Sequence, residues 1–188
     1  MDEAGRGSLA GPVVAAAYQF YRSGQEMEGL DDSKKLSRQK REALFAKLTD
    51  GKVGRWAVGE ASLEEIEKHN ILVASQMAMA RALEGLGEVE GVILVDGLPA
   101  KHLGKKHVAV VGGDGICPSI AAASVVAKVS RDRTLWRFGQ LYPRYGLANN
   151  CGYGTAEHLR ALRLHGPCPI HRRSFLPVGS KAMPRVEK

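Results

Sequence analysis

The stretch at residues 120–141 restricts the fold most. Its first half, IAAASVVAK, is apolar on nearly every side, so as a helix it has to be enclosed by other elements. The rest of the chain supplies them by alternating strand-like and helix-like segments. Residues 11–20 (GPVVAAAYQF) are an apolar, valine-containing run suited to a largely buried strand, and residues 53–61 alternate like a strand. Ser37 is a good N-cap for a helix to about residue 49. Ser62 with Glu65 three residues later is a capping-box pattern that opens a short helix; a longer helix covers residues 71–86 and stops at Gly87. Residues 92–95 (VILV) and 107–111 are short apolar strands, and residues 155–165 are a last helix. No internal repeat or low-complexity linker interrupts this order. It predicts an α/β domain whose strands form one sheet with helices on its faces.

Length and charge narrow what such a domain can do. At 188 residues one domain is expected, large enough to bury a core without staples. A net charge of +7 favours a polyanionic partner, although many soluble proteins are mildly basic and charge alone does not decide. Cys117, Cys151 and Cys168 are an odd set without paired CxxC spacing, which argues against a disulfide scaffold or a structural zinc site. There is no apolar run long enough to span a bilayer and no signal-peptide pattern, so a cytoplasmic protein is expected.

The chemistry concentrates in acidic residues beside glycines. Asp2-Glu3-Ala4-Gly5-Arg6-Gly7 sets two carboxylates, able to hold a hard divalent cation, against a turn that can bring backbone N–H groups and a guanidinium to a phosphate. Asp96 directly follows the apolar run 92–95 and precedes Gly97, at the end of a strand where α/β sheets bind ligands. Asp114 lies in Gly112-Gly113-Asp114-Gly115, ahead of the buried helix, whose positive end favours its ionised form. One such Asp is an ordinary turn residue. Four carboxylates at strand ends or helix entries are different, because their repulsion in one crevice is costly unless cations neutralise it. Adjacent residues of a regular strand face opposite ways, so Asp2 and Glu3 can share a site only if the strand ends or bulges there.

Six segments occur in order: DEAGRGSLAGPVVAAA, DDSKKLS, LVDG, GDGICPSIAAASVVAKVSRDR, GYGTAEHLRAL and HRRSF. Together they resemble bacterial ribonuclease HII, the type 2 ribonuclease H, from Asp2 to about Val178. The sister family, ribonuclease HIII, usually carries lysine where Arg6 stands. The resemblance implies a ribonuclease H-like fold, a mixed five-stranded sheet flanked by helices. It implies a catalytic domain over residues 1–178, its C-terminal helical part beginning at about 142, with 179–188 as a weakly ordered tail. It also implies cleavage of the RNA strand of RNA–DNA hybrids, including single ribonucleotides embedded in duplex DNA, giving 3′-hydroxyl and 5′-phosphate ends. By motif position Asp2, Glu3, Asp96 and Asp114 match the metal-binding carboxylates, for two Mg²⁺ or Mn²⁺ ions roughly 4 Å apart. A monomer is expected.

The same resemblance implies that Gly5, Arg6 and Gly7 contact nucleotides around the RNA–DNA junction. Tyr153 matches a tyrosine that packs on the deoxyribose after the ribonucleotide; without the resemblance it reads instead as an ordinary half-buried aromatic beside a turn. Ser33, Lys34 and Lys35 are candidate phosphate contacts. Lys128, Arg131 and Asp132 are expected to form helix-surface pairs that support the site, and His158 and His165 to pack rather than ligate. The HRRSF segment matches a family motif without an assigned role. Three departures stand out. Only Met1 precedes the Asp-Glu pair, so an upstream start or a shortened first strand is expected. Gly112 and Cys151 stand where lysine is frequent, which should weaken nucleic-acid binding. A non-catalytic binding module is the alternative from another class; the four carboxylates argue against it, since a pure binder would gain only repulsion from them.

Overall fold

Alanine decides how closely the layers approach. In the computed structural model, which describes residues 1–22, 29–30, 33, 36–89 and 91–180, β1 (Asp2–Ala4) and β3 (Gly54–Ala61) pair antiparallel on either side of β2 (Val13–Phe20). β2 carries Ala15, Ala16 and Ala17 in succession, so helices can lie close on both of its faces. Val13, Ala15 and Ala17 pack with α2 (Leu63–Leu86), whereas Ala16 and Tyr18 pack with α1 (Arg38–Thr49) and α3 (Pro118–Leu141). The apolar half of α3 is enclosed as its composition requires, with residues from Ile120 to Ala127 all buried.

Two further strands, β4 (Leu94–Asp96) and β5 (Val108–Val110), pair in parallel. Met1 joins the two ladders: its N–H donates to Leu94 O at 2.7 Å and its carbonyl accepts from Asp96 N at 3.0 Å. The order is therefore β3-β2-β1-β4-β5, mixed in direction. After α3 the chain forms α4 (Leu147–Asn150) and α5 (Ala156–His165), which enclose a third core with Leu9, Leu135 and Ile170. No helix among the described residues is long and apolar enough to cross a membrane.

Local signals explain the helix boundaries. Ser37 caps α1, Thr155 caps α5, and Ser62 with Glu65 forms the full capping box of α2. The two helices expected over residues 63–86 run together across a kink at Asn70, whose φ of 69° breaks the helix while its Oδ1 accepts from Leu72 N and Val73 N. Val178 is buried in the third core, because the turn at Gly179 folds it back under Phe175; residues 181–188 lie outside the described set.

Candidate active site

The bridge at Met1 positions the first two carboxylates. Met1 pairs in parallel with Val95, so the next residues along each strand, Asp2 and Asp96, point to the same face. Asp114 joins them from a 3₁₀ turn (Gly113–Gly115) at the entry to α3. One carboxylate oxygen from each of Asp2, Asp96 and Asp114 lies within 4.8 Å of the others. The turn is fastened to the strand, since Gly113 N–H donates to Asp96 Oδ1 at 2.7 Å. The fit is tight: a Cβ on Gly113 would lie 2.5 Å from Ile120 Cδ1 and 3.2 Å from Val110 Cβ, so a side chain there requires its neighbours to shift.

Asp2 bears the cost of this convergence. It is only 5% exposed, and its carboxyl is pushed up to about 7, first by burial and then by the charge of Glu3, with a smaller push from Asp96. Hydrogen bonds from Ser124 and from the Glu3 N–H, the latter at 2.7 Å, pull the other way without cancelling it. A crevice that disfavours its own ionised carboxylate at neutral pH suits a cation. The donors, all carboxylate oxygens, fit a hard divalent ion.

Glu3 departs from the expectation that the strand ends or bulges at the acidic pair. β1 keeps regular register through Asp2↔Ala16, Glu3↔Ala15 and Ala4↔Val14, and breaks only at Gly5, where φ is 95°. The pleat therefore turns Glu3 to the other face, where its Oε1 accepts from Arg6 NH1 at 3.0 Å. Among the described residues the metal-type cluster holds three carboxylates, and Glu3 is the near neighbour whose charge still reaches Asp2.

Beyond the strand, residues 5–8 make a turn closed by Ser8 N–H to Gly5 O at 3.3 Å, with Arg6 and Gly7 exposed. Two arginines back it. Arg131, 0% exposed, donates to Pro12 O, Cys151 O, Ala10 O and Ser8 Oγ at 2.8–2.9 Å. Arg172, equally buried, donates to Gly11 O, Arg6 O and Pro12 O at 2.9–3.1 Å. Arg131 thus departs from the expected helix-surface pairing, which only Lys128 and Asp132 make, at 2.7 Å. Its cause lies in helix phase: residues 124, 127, 131 and 135 form one buried stripe of α3. That spacing was readable in the chain; the carbonyls that solvate the guanidinium were not. Arg172 gave no such signal.

The Tyr153 loop lies alongside. Leu9 N–H donates to Gly152 O at 2.8 Å, joining the turn before Leu9 to the loop. The half-buried Tyr153 ring has Lys128 Nζ 5.2 Å and Arg131 Cζ 5.6 Å from its centroid. Ser33 is not a surface contact. It is 3% exposed and its hydroxyl bonds Ser124 Oγ at 2.8 Å, behind Asp2. Lys34 and Lys35 lie outside the described residues. His158 packs as expected, fully buried, and meets His171, which periodicity could not place.

The ribonuclease HII family model matches residues 1–178. The chain belongs to the ribonuclease HII family. It is 50% identical over 178 residues to the ribonuclease HII of Paraburkholderia xenovorans, covering 95% of this chain and 71% of that one. It is 52% identical to that of Sphingopyxis alaskensis, covering 95% and 88%. Among solved structures it is similar to the ribonuclease HII in a PCNA complex from Archaeoglobus fulgidus, with a TM-score of 0.76 and 25% identity, covering 93% of this chain and 92% of that one. Ribonuclease H2 from Pyrococcus horikoshii gives 0.73 and 27%, covering 95% and 93%. As a ribonuclease HII this chain is a type 2 ribonuclease H, a metal-dependent nuclease acting on RNA–DNA hybrids.

Proposed function

We propose that the protein hydrolyses the RNA strand of hybrids and also cuts at single ribonucleotides embedded in duplex DNA, leaving 3′-hydroxyl and 5′-phosphate ends. One observation carries this reading: the convergence of Asp2, Asp96 and Asp114 within 4.8 Å around a carboxylate that its surroundings disfavour when ionised. Asp2, Asp96 and Asp114 would hold Mg²⁺ or Mn²⁺, with Glu3 as a further donor once its Arg6 contact opens. Such ions, two when substrate is bound, supply activation of water and stabilisation of the leaving oxygen.

The protein's own residues do the rest. The Gly113 N–H keeps Asp96 aimed into the crevice. The exposed turn at Arg6 and Gly7 offers backbone and guanidinium donors to the strand beside the ribose. The Tyr153 ring, held by two cationic neighbours, packs on the following deoxyribose and senses by shape the missing 2′-hydroxyl. One polypeptide supplies every group, so the reading takes a monomer as the active unit.

The test is a DNA duplex containing one ribonucleotide, incubated with and without Mg²⁺ or Mn²⁺. Metal-dependent cutting that disappears in Asp96→Asn and Asp114→Asn, and falls in Tyr153→Ala, is expected. Tight binding without cutting would instead identify a binding module.

A further inference from the structure

The HRRSF segment has a structural position that suggests its task. His171 and His158, both buried, face each other with Nε2 to Nε2 at 3.0 Å. At the far side His158 Nδ1 lies 2.9 Å from the carbonyl of Tyr153. A carbonyl can only accept, so His158 carries its hydrogen on Nδ1 and leaves Nε2 bare. His171 Nε2 must then donate, which leaves His171 Nδ1 to accept from Cys168 N–H at 3.0 Å; the Cys168 carbonyl is farther, at 3.3 Å. Any other pair of neutral tautomers sets two lone pairs, or two hydrogens, against each other. The hydrogen bonds run in one direction, from Cys168 through both rings to Tyr153.

The endpoint matters. Tyr153 O also accepts from Thr155 N–H at 2.8 Å, so both of its lone pairs are used and the peptide plane of the loop is held. Thr155 in turn caps α5 by accepting from His158 N–H at 3.2 Å, which fixes the backbone of the donating histidine. Around the rings stand Tyr145, its ring 4.7 Å from that of His171, together with Cys168, His165 and Arg173. None is a carboxylate that would draw a proton onto the pair.

We infer that His171 and His158 are positioning residues which fix the Tyr153 carbonyl and thereby set the ring for cleavage at an isolated ribonucleotide. This rests on the role of Tyr153 proposed above. Neither histidine touches substrate.

Two substitutions of His158 separate positioning from packing. Asparagine places its amide where Nδ1 was and keeps a donor for the Tyr153 carbonyl; glutamine places it where Nε2 was and removes that donor. His158→Gln should lower kcat/KM on the single-ribonucleotide duplex about tenfold or more, as loosened catalytic geometry does. His158→Asn should stay within about threefold although both variants lose similar thermal stability. In a Tyr153→Ala background His158→Gln should add nothing, because the two act as one unit. Losses that multiply in the double variant, or parental rates in His158→Gln, would overturn the inference.

If His158→Gln does not fold, ¹⁵N spectra of the parental ring nitrogens decide. Hydrogen on His158 Nδ1 and His171 Nε2 is expected, and the opposite assignment sinks the idea. A parental protein that cuts nothing would reject the proposed function instead, leaving the spectra to judge the pair.

Discussion

Gly5→Ala tests whether the first turn is shaped mainly by what lies behind it. A Cβ on Gly5 would fall 1.9 Å from Arg131 Nε and 2.5 Å from its Cδ, at a φ of 95° that side chains rarely adopt. The backbone strain alone costs about 1–3 kcal/mol. Arg131 must also move, and it is held by four acceptors, so losing even one charged hydrogen bond adds about 1.5–3 kcal/mol. The expected loss is about 3–6 kcal/mol, a large part of the roughly 5–15 kcal/mol that holds a domain folded. Gly7→Ala is the control. Nothing lies within 4 Å of its Cβ, so a change within about 0.5 kcal/mol is expected. Urea unfolding of both variants measures this directly. If Gly5→Ala unfolds like the parent and only its nucleic-acid affinity drops, then the glycine serves the ligand and the packing argument is wrong.

Two further outcomes follow from the site's charges. Mn²⁺ at a hundred times its Kd should stabilise the parent by about 2.7 kcal/mol, read as a rise in Tm that EDTA reverses. Asp114→Asn should lose most of that rise, whereas Asp2→Asn, which removes the disfavoured buried charge, should melt higher than the parent without metal yet cut nothing. His171 gives a pH signature: burial first, then His158, pulls its imidazole down from 6.5 to about 4. Above 6.5 it is neutral folded and unfolded; as pH falls towards 4 only the unfolded chain takes up the proton, and stability drains away. By pH 5 the loss should reach about 2 kcal/mol, and His171→Gln should flatten it; an equally steep decline in that variant would assign the effect elsewhere.

The chain's local grammar made most elements legible. Caps at Ser37 and Ser62, the alternation of β3 and the all-round apolar start of α3 are short-range signals, and each matches an element in the structure. The acidic residues beside glycines were also legible as candidates, because Asp96 ends an apolar strand before Gly97 and Asp114 sits in a glycine turn ahead of the buried helix.

What local pattern could not decide was which of these groups meet. Asp2 and Asp96 share a face because Met1 bridges to β4 across more than ninety residues of chain, and Glu3 is turned away because β1 keeps its pleat. The buried cations follow the same logic. Arg131 reads as a helix-surface charge, and Arg172 has no assigned place, until the carbonyls of residues 6–12, brought in by the fold, replace their water. Short-range signals set the elements and the chemical types available at their ends, since propensity and capping act over a few residues. Only tertiary structure chose the partners, because burial and electrostatic coupling depend on distance in space, and that distance is set by the sheet.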